Sequence, residues 1–179
     1  MQGTQSDVEA LARAPLVFAD VYAEHFAFVY RVVARLSGSG DVEDLVQEVF
    51  VVVHRRLGEF RGDARLTSWL FRIAYLTVGA HVRRERLGRR VRELFGREPE
   101  PSTAHPSEEL ERARRVRAAL ERLSFEQRSA LVLFEVEGWS GAEIAEALGV
   151  PSGTVFRRLH EARRAFAAAY GPPGEEEAR

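Results

Sequence analysis

Cysteine is absent from the 179 residues. That removes disulfides, cysteine-ligated zinc and thiol nucleophiles from consideration, and it fits a protein of the cytoplasm. Lysine is absent too: all 26 basic residues are arginine. A GC-rich genome accounts for this without any function. Arginine is also the better ligand for phosphates and base edges, because its fork donates two parallel hydrogen bonds. Composition alone does not separate the two readings. Long hydrophobic runs are missing as well. The most apolar stretch, Val46 to Val53, is interrupted by Gln47 and Glu48, so no membrane insertion is expected. Met1 to Ala14 carries Asp7, Glu9 and Arg13 and lacks the apolar centre of a signal peptide. Catalytic motifs are equally scarce. His25, His54, His81, His105 and His160 are scattered, and no His-Glu-x-x-His, phosphate-binding glycine loop or nucleophile elbow occurs. The expectation is a non-enzyme with no cofactor, no metal and no small-molecule substrate.

What is present is a folded composition, 45% hydrophobic and 30% charged, with a net charge of −1 that conceals segregation. Asp41 to Glu48 is acidic without a base, Arg72 to Arg92 is arginine-rich with Glu85 as its one acid, and Glu175, Glu176 and Glu177 stand together near the end. Charges in physiological salt act over about 8 Å, so these patches, not the total, decide what the surface attracts.

Periodicity reads as nearly all helix. Val17, Val21, Phe26, Val29, Val33 and Leu36 recur at helical spacing after Pro15, and Ser37-Gly38-Ser39-Gly40 ends that run. Asp41 is a candidate N-cap, with Glu43 and Asp44 in a first turn where the helix dipole favours acids. Leu45, Val46, Val49, Phe50, Val53 and Leu57 continue the pattern. The β-branched run Val51-Val52-Val53 would also suit a strand, but its flanks keep the helical period. Gly58 to Thr67 reads as a loop, and Ser68 to about Glu93 as a helix whose buried stripe would be Trp69, Ile73, Leu76 and Ala80. Gly96 to Glu109, with three prolines, is the clearest linker. Beyond it, helices are expected near 108–121, 125–137, 141–148 and 152–169. Ser124 with Gln127 and Ser140 with Glu143 form two capping boxes. The fold class is therefore all-α: two small helical domains at 15–95 and 108–170, a flexible linker at 96–107 and a disordered tail at 171–179.

Ile144, Ala145 and Leu148 form one short helix face, Gly149 supplies a left-handed turn, and Val155, Leu159, Ala162 and Phe166 form the buried face of the next helix. Thr154, Arg157, Arg158 and Arg164 fall on its outer side, as in a helix-turn-helix whose second helix enters the major groove. An ordinary helical hairpin with a solvated arginine face is the bland alternative. The earlier helix would turn Asp44, Gln47, Glu48, Val51 and Arg55 outward, either to solvent or to a partner helix.

The order Asp-x-Glu-Asp-Leu-x-Gln-Glu-x-Phe, then "FRGDARLTSWLFRIA", then an arginine cluster, then a terminal helix-turn-helix resembles the extracytoplasmic-function (ECF) sigma factors of bacterial RNA polymerase. The resemblance implies a promoter-recognition subunit that docks on core polymerase through Asp44, Leu45, Gln47, Glu48, Val51 and Arg55, with Phe50 mostly in the core. It implies −10 contacts from Phe60, Arg61, Ser68, Trp69 and Arg72, with Arg83 and Arg84 on the DNA backbone, and −35 contacts from Ser152, Thr154, Phe156, Arg157, Arg158 and Arg164. It also implies an anti-sigma partner. A base stacked on Phe60 or Trp69 gains about 1–3 kcal/mol, although Trp69 lies on a helical stripe that suits the core. The chain departs from the family pattern at Leu76 and Ala80 in the first domain and at Phe134, Phe156 and Glu161 in the second, and the latter three predict weak or unusual −35 contact. A helix-turn-helix regulator, or a diverged sigma-like protein without initiation activity, is the alternative reading.

Overall fold

A computed structural model describes residues 16–38, 42–94 and 108–171. The secondary structure in these segments is entirely helical. Helices α1 (Phe18–Ser37) and α2 (Val42–Arg56) are followed by a 3-10 turn (Leu57–Glu59) and the long α3 (Leu66–Leu94). Then come α4 (Glu108–Glu121), α5 (Phe125–Glu135), α6 (Gly141–Leu148) and α7 (Ser152–Tyr170). The expected N-cap Asp41, the linker at 96–107 and the tail beyond Gly171 lie outside the described residues.

Helices α1, α2 and α3 pack on one another and make the first lobe; α4, α5 and α6 gather on α7 and make the second. The first lobe is built on Val29, Val32, Val33 and Leu36 of α1, Leu45, Val49, Phe50 and Val53 of α2, and Leu70, Phe71, Ala74 and Val78 of α3, all buried. The second rests on Leu123, Leu133, Ile144, Val155 and Leu159. Both expected capping boxes form: Ser124 and Ser140 each accept from the backbone N–H three residues on, and Gln127 and Glu143 each accept from the serine's own N–H. Gly149 sits at φ 67°, in the left-handed region that a residue with a Cβ resists.

The two lobes are in contact and share one continuous apolar cluster. The seam is made by α1 against α5, and by α3 against α5 and α6. Its centre is aromatic. The Trp139 indole stacks parallel to Phe28 at 6.4 Å and meets Phe71 at 5.6 Å, while Phe125 lies on Tyr75 at 5.0 Å. Gly79 on α3 is what admits Phe125, because a Cβ there would come within 2.9 Å of the ring.

The expected stripe on α3 is met in part: Ile73 is buried and Trp69 packs against the core. Leu76 is 53% exposed, Ala80 and Trp69 are half-buried, and the buried positions are Leu70, Phe71, Ile73, Ala74 and Val78. The reason is that α3 is covered from two sides, by α1 and α2 and by the second lobe, so its buried arc is wider than one stripe. Val17 and Phe26, expected inside, are exposed as well.

Candidate functional site

The outer face of α2 is as the period predicts. Asp44, Gln47, Glu48, Val51 and Arg55 are all exposed, and Val51 shows 48% of its surface despite being apolar. Leu45 differs: it is only 2% exposed and packs inward beneath this face. The face continues onto α1, where Phe18, Tyr22 and Phe26 ring Phe50 at centroid distances of 4.6–6.4 Å. With Gln47, Val51, His54 and Arg55, Phe18, Tyr22 and Phe50 line a shallow groove. Tyr22 and Phe26 remain partly exposed. The sequence reading missed Phe18 and Tyr22 and placed Phe26 inside, because it assigned α1 one buried stripe and no second face.

The second cluster begins after the 3-10 turn. Phe60 and Trp69 are both half-buried and touch at 5.4 Å with rings tilted by 55°. Arg61 is exposed and Ser68 half-buried beside them. Arg72 is exposed at its edge but donates weakly to the Ala147 carbonyl at the end of α6, at 3.5 Å. Its guanidinium also lies against Gly149. Arg83 and Arg84 are exposed further along α3.

The third cluster is the helix-turn-helix of α6 and α7. Ser152, Phe156, Arg157 and Arg164 are exposed and Thr154 is half-buried. Phe156 lies over Gly141, where a Cβ would meet the ring at 2.8 Å, so this ring also seats the start of α6. Arg158, expected on the outer face, is half-buried with Nη1 enclosed and unpartnered. It lies toward Tyr75 of the first lobe and opposes the raising of that phenol's pKa, which burial dominates. Glu161 is not a free repelling charge: it accepts from Gln127 at 3.1 Å and pairs with Arg157 at 3.4 Å. Phe134 lies beneath the Arg163 guanidinium at 5.1 Å.

Polar contacts tie the lobes around the aromatic seam. Arg128 is only 4% exposed and donates Nη1 to the Leu36 carbonyl at 3.0 Å, at the C-terminal end of α1. Burial lowers its pKa, opposed by nearby Glu121. Arg117 donates to the Gly38 carbonyl. Arg31 pairs with Glu137 at 3.2 Å and Arg65 with Glu143 at 2.6 Å. Glu143 is held below the ordinary glutamate value, first by the Ser140 backbone N–H, then by its hydroxyl, with Arg65 adding. The second and third clusters therefore face each other across the seam.

Comparison with known proteins meets this geometry region by region. The pattern described as Sigma-70 region 2 matches residues 21–87, and that described as Sigma-70, region 4 matches residues 113–166. The chain is 34% identical over 173 residues to the ECF RNA polymerase sigma factor SigM of Mycobacterium tuberculosis, covering 93% of this chain and 86% of that protein. It is 36% identical over 157 residues to the ECF RNA polymerase sigma-E factor of Escherichia coli, covering 77% and 78%. Among solved structures, the sigma factor RpoE of Bartonella quintana, bound to the anti-sigma factor NepR, superposes with a TM-score of 0.68 at 26% identity, over 85% of this chain and 95% of that one. CnrH, in complex with the cytosolic domain of CnrY, gives 0.62 at 28% identity, over 84% and 85%. Two regions in the family's order, on a chain whose described elements are all helices and which spans most of the length of these relatives, place it: the chain belongs to the ECF family of RNA polymerase sigma factors.

Proposed function

We propose that this chain binds core RNA polymerase and directs initiation at promoters that carry its −10 and −35 elements. It does so as a noncatalytic subunit in the cytoplasm. The observation that carries this reading is the pairing, on one chain, of region 2 and region 4 matches with an exposed acidic and apolar face on α2. A stand-alone regulator needs no such face, and nothing in the fold favours one.

In this mechanism Asp44, Gln47, Glu48, Val51 and Arg55 meet the polymerase, with Leu45 bracing them from beneath. Phe60 and Trp69 offer a ring pair for bases unstacked at the −10 element. Each stacked base is worth about 1–3 kcal/mol, which offsets the cost of extruding it. Arg61, Arg72, Arg83 and Arg84 neutralise phosphates. Ser152, Thr154, Phe156, Arg157 and Arg164 meet the −35 element, and Arg158 joins them once the seam opens. Opening is required by length. Elements about 25 base pairs apart lie roughly 85 Å apart along the duplex axis, at about 3.4 Å per base pair, whereas Arg72 touches α6 in the closed form. The 13 residues between Leu94 and Glu108 span up to roughly 45 Å, which supports such a separation.

The capture of RpoE with an anti-sigma factor supports a protein antagonist for this chain as well. The direct test is transcription in vitro: purified chain added to bacterial core polymerase yields transcripts whose mapped starts share upstream elements. If no template screened gives a transcript that depends on the chain, the reading is wrong. Glu48→Arg weakens core binding at least tenfold with an unchanged helical spectrum; equal affinity removes α2 from the docking face.

A further inference from the structure

Glu161 is the one acid on α7, and it stands among arginines. Its carboxylate is engaged at both oxygens. Oε2 accepts from Nε2 of Gln127 at 3.1 Å, and Oε1 accepts from Nη1 of Arg157, one turn back on α7, at 3.4 Å. Gln127 is itself held at its other atom: its Oε1 accepts the Ser124 N–H at 3.1 Å, as part of the capping box that starts α5. A chain of hydrogen bonds therefore runs from the start of α5 to an exposed arginine on α7. A lone exposed Arg–Glu pair four residues apart contributes little, because two free side chains must be ordered to make it. Here a second helix already holds the carboxylate, and only Arg157 has to be ordered.

The arginines near it differ in what they can offer. Arg163 spends its charge on Glu135 at 2.7 Å, and Arg158 is half-buried. Arg157 is exposed and lies in the second turn of α7, within the part of a recognition helix that meets base edges. Its bond to Glu161 uses one N–H of the guanidinium and leaves the others of the fork to donate. The neighbouring negative charge lowers the pull of the pair on phosphates, whereas guanine offers O6 and N7 at the spacing of the fork. We propose that Glu161 is a positioning residue: held by Gln127, it turns Arg157 from the phosphates toward a guanine at one position of the −35 element, without touching DNA itself. The inference rests on the −35 reading above and adds to it a residue that sets specificity. Glu161 then sharpens a contact that its charge alone would weaken.

The test uses the full chain with core polymerase, on a promoter found by start mapping and carried through every single-base change of its −35 element. Competition binding gives a base preference at each position. The parent is expected to prefer guanine about tenfold at one position, within what a bidentate arginine supplies. Arg157→Ala abolishes that preference. Glu161→Gln keeps the shape of the side chain and can still accept from Gln127. It is expected to lower the preference at least about threefold at that position alone. It also steepens the salt dependence by about one phosphate contact, as the released arginine turns to the backbone. In an Arg157→Ala background, Glu161→Gln leaves the preference profile unchanged. Uniformly tighter binding with an unaltered profile makes Glu161 a repelling charge and overturns the proposal. So does an effect of Glu161→Gln that survives without Arg157, which makes the carboxylate itself a contact. A parent profile that is flat across the −35 element removes the −35 reading and the proposal together. A parent preference that persists in Arg157→Ala removes the proposal alone.

Discussion

Gly79 is small for a reason that belongs to the seam and not to its own helix. Within α3 a glycine costs about 1 kcal/mol relative to alanine, yet a Cβ here would strike Phe125 at 2.9 Å. Gly79→Ala therefore strengthens α3 and pries the lobes apart. The expected outcome is unchanged or higher helicity with an increased radius of gyration in small-angle scattering; an unchanged radius would show that the ring simply shifts. Arg128 acts from the other side. Its hydrogen bond to the Leu36 carbonyl joins residues 92 positions apart, and hydrogen bonds to charged groups contribute about 1.5–3 kcal/mol. Arg128→Ala is expected to lower the unfolding free energy of the closed chain by about that amount in urea titration. A cost near zero would mean that desolvation of the guanidinium already cancels the bond.

At the scale of the element, α6 depends on its cap. Replacing Ser140 with alanine removes the acceptor for the Glu143 N–H and the hydroxyl that bonds its carboxylate, a loss of about 1 kcal/mol. Glu143 adds a pH dependence. Its folded pKa is depressed, so its contribution is present above the unfolded glutamate value, about 4.3, and is lost as pH falls through the folded value. Acid titration of Glu143→Gln is expected to show a shallower loss of stability below that value than the parent chain; superposable curves would contradict the assignment. These caps were legible in the sequence because a capping box is a contact between residues three apart. The outward face of α2 was legible for the same reason, since a single period governs it. The phase of α3 was not. Leu76 is apolar and exposed while Phe71 is buried, because two lobes cover that helix and no local pattern records the second. Arg158 was misplaced on the outer face as well: it is half-buried and lies near enough to Tyr75 of the first lobe to influence its phenol, a neighbour that the period of α7 does not record.

At the scale of the molecule, the closed arrangement and the proposed mechanism are in tension, and the tension is functional. Aromatic rings and five arginine contacts hold together two surfaces that the proposed mechanism separates. Part of that hold is ionic, Arg31–Glu137 and Arg65–Glu143, so rising salt loosens it while also weakening phosphate contacts. In the proposed mechanism core polymerase meets α2 on a face the seam leaves free, and binding there biases the chain toward the open form if the polymerase accommodates that form alone. The most direct measurement of the whole account is a footprint on one promoter duplex, taken with chain alone, core polymerase alone and both together. The account predicts protection of the −35 and −10 elements on the same molecule only when both are present. Protection by the chain alone that core polymerase leaves unchanged would contradict it.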